Sequence, residues 1–210
     1  GNTLYELKIP RQNLKKAFGN ETKGASFGGA NSPYAVYGVN KDKEGNIWIG
    51  TATAGAFRFD GDSLLWIAEK ELSTLPDGRV PGVRSIIQDV NGYYWLSNFY
   101  SKYQINPNSP KGYEVEKAAE LPKGTKNDQI LYFMSSILDE KGTLWMTTYD
   151  DGVWTYDGDK LSKMEIYNGQ KFIFLITIFQ DQNGTIWIGT DNDGVYKQNV
   201  YGEFEKFKPV

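Results

Sequence analysis

The sequence predicts an all-β fold, and three observations carry that prediction. One pattern returns four times along 210 residues, as DKEGNIWIGT from Asp42, DVNGYYWLSN from Asp89, DEKGTLWMTT from Asp139 and DQNGTIWIGT from Asp181. Its tryptophans, Trp48, Trp95, Trp145 and Trp187, stand 47, 50 and 42 residues apart, which suits a four-stranded propeller blade. The composition agrees, since 14 Tyr, 11 Phe and 6 Trp together with 23 Gly favour short strands joined by tight turns. The predicted fold is therefore a β-propeller of four-stranded antiparallel blades.

Every repeat yields the same elements in the same order. A β-rich run precedes the Asp at residues 34–39, 83–88, 130–138 and 172–180 and is expected to form the innermost strand of its blade. The DxxG that follows is a turn, because Asp accepts bonds from the backbone amides just ahead of it and Gly supplies the positive φ. The second strand carries the Trp with apolar residues on both faces, as Ile47, Trp48 and Ile49 show, the mark of a strand packed between two layers. A Gly-led third strand comes next, in GAFRFDG from Gly55, GVWTYDG from Gly152 and GVYKQN from Gly194. Asp60-Gly61 and Asp157-Gly158 then signal tight hairpins into fourth strands over 63–67 and 160–166. The second repeat lacks both the leading Gly and the Asp-Gly turn, so its blade should be the least regular.

The expected organisation is one domain over 1–210, with repeats at 34–82, 83–129, 130–171 and 172–210. LYELKIP and KKAF read as two further strands of a partial N-terminal blade within 1–33. Because a propeller closes to remove its edges, five blades are favoured, with a four-bladed ring as the alternative.

Over residues 34–207 this set of features resembles the two-component regulator propeller repeat, which runs from an inner strand through a DxxGxxW turn and IGT to a Gly-led strand ending near Asp-Gly. The first, third and fourth repeats fit it closely. The resemblance implies a propeller of the kind that forms the periplasmic sensing half of hybrid two-component regulators, often tuned to polysaccharide breakdown products. It thereby implies a periplasmic or secreted protein, a lipid anchor being one further option. The chain begins at Gly1, so removal of an upstream segment such as a signal peptide is expected.

Charge and residue types narrow the chemistry. A formal charge of −3 gives no broad attraction for phosphate backbones or anionic lipid, and no apolar run approaches the roughly 20 residues of a spanning helix. Nucleic acid is not an expected partner, nor is a membrane span expected. The chain has no Cys and no His, which removes thiol nucleophiles, thiolate and imidazole metal ligands and the commonest general acid/base. No cofactor or metal is expected.

Asp42, Asp89, Asp139 and Asp181 recur at matched positions and are assigned to the fold, as are the four tryptophans. Ligand-binding residues are sought instead where the repeats differ, on the loops after each second strand. These loops hold Ala52 and Ala54 in the first repeat; Asn98, Phe99 and Tyr100 in the second; Tyr149, Asp150 and Asp151 in the third; and Asp191, Asn192 and Asp193 in the fourth. Aromatic rings beside carboxylates and amides suit a sugar, whose apolar face stacks while its hydroxyls hydrogen-bond. The same acidic residues are a weaker candidate for calcium. The expected function is non-catalytic recognition of a saccharide or a partner protein. The alternative is a carbohydrate-active enzyme with a carboxylate pair such as Asp150 and Asp191.

Overall fold

The computed structural model describes residues 6–18, 32–72, 75, 79–118, 131–149, 151–166, 169 and 173–208. Asp150, residues 73–74 and 76–78, and most of the long segments 21–33 and 117–129 thus lie outside the described residues. The chain forms two compact units, Gly1–Val83 and Arg84–Val210.

The first unit contains a short helix, α1 (Leu14–Phe18), and one antiparallel sheet of β1 (Val36–Lys41), β2 (Ile47–Thr51), β3 (Ala56–Phe59) and β4 (Leu64–Ile67), paired in chain order. The second unit holds three sheets of the same meander topology. They are β5 (Ile86–Gln88) to β8 (Tyr113–Lys117) through β6 (Tyr94–Leu96) and β7 (Ser101–Ile105); β9 (Phe133–Leu138) to β12 (Leu161–Met164) through β10 (Leu144–Thr148) and β11 (Val153–Tyr156); and β13 (Leu175–Gln180) to β16 (Phe204–Lys206) through β14 (Ile186–Thr190) and β15 (Val195–Gln198). We number these sheets blades 1 to 4. The fold is all-β, made of four propeller blades.

No strand precedes β1 among the described residues. The favoured partial fifth blade is therefore not seen, and the four-blade count is the one that fits. Residues 6–13 have no regular structure and α1 replaces the expected KKAF strand. The segment lays its apolar residues on blade 1: Ile9 and Leu14 pack with Ile49 and Phe57, and the ring of Phe18 meets Trp66 edge-on at 6.1 Å.

The DxxG turns form as the residue types require. In each, the Gly amide donates to the Asp carbonyl at 3.0–3.2 Å, and the glycines take φ values of 81–94°, in the region glycine tolerates best. The Asp-Gly hairpins form too, with Gly61 at φ 103° and Gly158 at φ 105°. The carboxylate of Asp60 accepts the amides of Asp62 and Ser63 at 3.0 and 2.7 Å, and Asp157 accepts those of Asp159 and Lys160 at 3.0 and 2.8 Å. These amide donors hold Asp60 down to a pKa of about 2 and lower Asp157 for the same reason.

Inner strands start later than the sequence predicts. Residues 83–85, 131–132 and 173–174 run ahead of the ladder because loops claim several of their backbone groups. Val83 N–H donates to Thr51 O at 2.8 Å, and Phe174 O accepts from Asp191 N–H at 3.0 Å. Leu131 N–H donates to the Tyr100 hydroxyl at 3.0 Å. Blade 2 is the least regular, as expected: β5 and β6 have three residues each, and β6 pairs with β7 at only two positions.

In the second unit the core lies between successive blades. Trp95 of blade 2 joins Phe133, Leu144, Met146 and Trp154 of blade 3. Trp145 and Val153 of blade 3 meet Leu175, Ile178, Ile186, Ile188 and Tyr196 of blade 4. We call the Trp side of a blade its trailing face and the opposite side its leading face.

Candidate functional site

The repeated aspartates and tryptophans form one device. In every blade one carboxylate oxygen of the DxxG Asp accepts a backbone amide four residues on, at 2.8–3.0 Å. The other oxygen accepts the indole N–H of the Trp six residues on: Trp48 to Asp42, Trp95 to Asp89 and Trp145 to Asp139 at 2.9 Å, and Trp187 to Asp181 at 2.8 Å. The indole bond is the leading cause of the lowered pKa of Asp181. This latch explains why Asp and Trp recur together, and it commits all four aspartates to the fold. The i, i+6 spacing was visible in the sequence, but only the turn followed by a strand brings the two side chains onto one side.

The loops after the second strands are built by a second device. Thr51, Thr148 and Thr190 each donate their hydroxyl to the carbonyl of the following Gly55, Gly152 and Gly194 at 2.7–2.8 Å. The same hydroxyls accept the amides of Ala54, Asp151 and Asp193 at 2.9–3.0 Å. In blades 1, 3 and 4 loop shape is thereby constant while its side chains vary.

Two of the predicted acidic residues are engaged within their own blades. Asp151 accepts from Lys163 at 2.7 Å and from the Trp154 indole at 3.2 Å. Burial alone would lower the Lys163 pKa, but the hydrogen bond and charge of Asp151, with Glu165 at 3.5 Å, hold it above its usual value. Asp193 pairs with Lys206 at 2.6 Å and accepts the Tyr196 hydroxyl. Among the described residues no group of three or more acidic side chains is placed to hold a metal ion.

Blade 2 is also committed inward. Phe99 is buried in the core, 4.7 Å from the Trp95 ring and 5.0 Å from Phe133. Asn98 is buried, accepting the Tyr100 amide at 2.9 Å and donating to Leu96 O at 3.2 Å. Tyr100 accepts from Leu131 and braces the lead-in to blade 3.

What the loops of blades 3 and 4 bring together is smaller than the predicted set. Tyr149 stacks on Phe174, with centroids 4.4 Å apart and planes at 17°. Tyr149 O accepts from Leu175 N–H at 3.3 Å and Phe174 O from Asp191 N–H at 3.0 Å. The two backbone bonds fix Tyr149, Phe174 and Asp191 as neighbours. Asp191 and Asn192 are exposed, and both rings are half-buried. Phe174 is absent from the predicted set because it sits in a run read as strand.

Comparison with known proteins places this architecture among β-propellers made of repeated blades. The family model described as two component regulator propeller matches residues 32–53 and 169–192. No curated protein matches the chain. Among solved structures it is similar to the extracellular domain BT4673 of B. thetaiotaomicron, ascribed to a one-component system, with a TM-score of 0.57 and 20% identity over 90% of this chain and 23% of that one. It is similar to the extracellular domain BT3049 of the same organism, ascribed to a hybrid two-component system, with a TM-score of 0.52 and 19% identity over 79% of this chain and 22% of that one. A streptogramin B lyase matches with a TM-score of 0.55 and 13% identity over 88% of this chain and 57% of the lyase. The chain thus spans about a quarter of the length of the extracellular domains. Identities this low establish the shared fold alone.

Proposed function

We propose that this chain is a non-catalytic recognition part of a sensor-type propeller, working in the periplasm or outside the cell, and that it takes a neutral saccharide on the patch of Tyr149, Phe174, Asp191 and Asn192. The observation that carries the reading is the stacked Tyr149–Phe174 pair beside exposed Asp191. Half-buried rings offer a flat apolar surface for a pyranose face, and the adjacent carboxylate and amide can accept and donate to its hydroxyls. A neutral ligand is favoured because Asp191 repels anions.

The repeat family and the two extracellular domains support a sensing role at a location outside the cytoplasm. Among the described residues no helix is long and apolar enough to cross a membrane. A lyase shares the fold, but this chain contains no histidine, and Asp151 and Asp193 are each tied to a lysine and an aromatic donor. An acid/base pair drawn from Asp151 and Asp193 therefore has little to work with.

The test is a panel of neutral oligosaccharides screened against the 210-residue chain, followed by calorimetry on any binder. Tyr149→Ala and Asp191→Ala should each weaken binding at least about tenfold, the loss of roughly 1.4 kcal/mol expected for a stacking or hydrogen-bonding contact, with unchanged circular dichroism. Binding untouched by both substitutions would refute the site, and turnover of a bound sugar would refute the non-catalytic role.

A further inference from the structure

The second unit makes one interface twice and then leaves its next copy open. Ile87 and Trp95, paired across β5 and β6, belong to the trailing face that blade 2 lays on blade 3. Ile137 and Trp145, paired across β9 and β10, do the same from blade 3 onto blade 4, with Val153 beside them at 0% exposure. In blade 4 the matching pair is Phe179 and Trp187, and Val195 holds the place of Val153. Phe179 is 62% exposed and Val195 40%. Phe207, edge-on to Trp187 at 5.2 Å, is 40% exposed as well. A contiguous aromatic and aliphatic face of this kind marks an interaction surface.

The first unit carries the complementary half. On the leading faces of blades 3 and 4, Phe133 and Leu175 open the inner strand at 2% and 1% exposure, each paired to the last residue of the second strand. Val36 occupies that register position in β1, opposite Thr51, yet is 50% exposed. Val39 sits opposite Ile49 as Ile178 sits opposite Ile188, and is 62% exposed where Ile178 is 5%. The outer part of this leading face is already covered by Ile9, Leu14 and Phe18. Its open part is the inner strand, and Ile87, which blade 2 presents to blade 3 beside Trp95 of its second strand, also comes from an inner strand.

We propose that the trailing face of blade 4 docks on the leading face of blade 1 in a second copy of this chain, head to tail. The junction continues the type of contact that already joins blades 2, 3 and 4, and both halves of it are present on one chain. A head-to-tail contact either closes into a ring or extends as an open series. Two copies bring eight blades, the upper end of the usual range for a closed propeller.

The test is sedimentation of the full chain over a concentration series, alongside Phe179→Glu and Val39→Glu. Both positions are 62% exposed, so a charge there leaves the fold intact, which circular dichroism verifies. The proposal expects an assembly of two or more copies that each substitution alone reduces to one copy. It also expects mixed variants to associate as a pair, because one carries an intact leading face and the other an intact trailing face. A wild-type mass of one copy at every concentration overturns it. So does an oligomer that Phe179→Glu dissolves and Val39→Glu leaves whole, which would be a face-to-face pairing of blade 4.

Discussion

Replacing Asp89 by Ala tests whether the Asp–Trp latch holds the blades. Asp89 accepts the amides of Asn91 and Tyr93 at 2.9 and 3.0 Å and the indole N–H of Trp95 at 2.9 Å. Asp89 and Trp95 are both buried, at 6% and 4% exposure. Removing the carboxylate leaves the indole N–H without this acceptor inside a hydrophobic cluster, at a cost of about 1–3 kcal/mol. The two amides lie nearer water, and each lost bond there costs about 0.5–1.5 kcal/mol. The expected loss is thus about 2–6 kcal/mol in urea unfolding followed by tryptophan fluorescence. Trp95→Phe removes the N–H while keeping a ring against Phe99 and Phe133, so the double-mutant cycle with Asp89→Ala should show a coupling of about 1–2 kcal/mol. Strictly additive single losses, or an Asp89→Ala loss below about 0.5 kcal/mol, would show that the recurrence of Asp and Trp has another cause. The same change at Asp181, whose surroundings are more exposed, should cost less.

Two glycines at matched positions should respond differently to a methyl group. A Cβ on Gly50 would lie 2.1 Å from the carbonyl oxygen of Val83, whereas one on Gly189 would meet only the Thr177 methyl at 2.7 Å. Gly50→Ala should therefore destabilise by about 1–3 kcal/mol in the same urea assay and Gly189→Ala by clearly less; equal losses would refute the close backbone approach. Acid should also weaken the fold. Asp60, Asp157 and Asp181 have folded-state pKa values below the ordinary 3.8, with Asp60 at about 2, so the unfolded chain binds more protons between those values. Their contribution is present above about pH 4 and lost as pH falls towards 2, and a urea midpoint that stays level from pH 5 to 2 would contradict it.

Much of the blade was legible because its signals are local. The DxxG and Asp-Gly turns follow from what Asp and Gly do to their own neighbourhood, and the Trp period followed from repetition. The N-terminal segment was misread for the opposite reason. Apolar residues spaced along LYELKIP and KKAF say that a surface must be covered, which a strand or a helix can do equally well. Whether an open sheet edge is available to pair with them is a tertiary question. Ile9, Leu14 and Phe18 instead cover the face of blade 1, with the Tyr34 hydroxyl accepting Gln12 N–H at 2.6 Å and Arg11 lying 4.3 Å over the same ring.

The site was legible only in part, and the loops show why. Residues that differ between repeats are the natural candidates for a ligand, yet some of those differences are answered inside the same blade. The third-strand aromatic pairs with a fourth-strand residue at one register position: Phe57 with Trp66, Trp154 with Lys163, Tyr196 with Lys206. Where that fourth-strand residue is Trp66, the loop presents Ala54, whose carbonyl accepts the indole at 2.7 Å. Where it is Lys163 or Lys206, the loop presents Asp151 or Asp193, which forms the ion pair. Asp151 and Asp193 thus vary with their internal partners. Asp191 and Asn192 are exposed, and Asp191 lies beside the Tyr149–Phe174 stack. Variation between repeats points to a ligand only after each varied residue has been checked for a matching change within its own blade, and in this chain that check moves the candidate from nine residues to the short stretch where blades 3 and 4 meet.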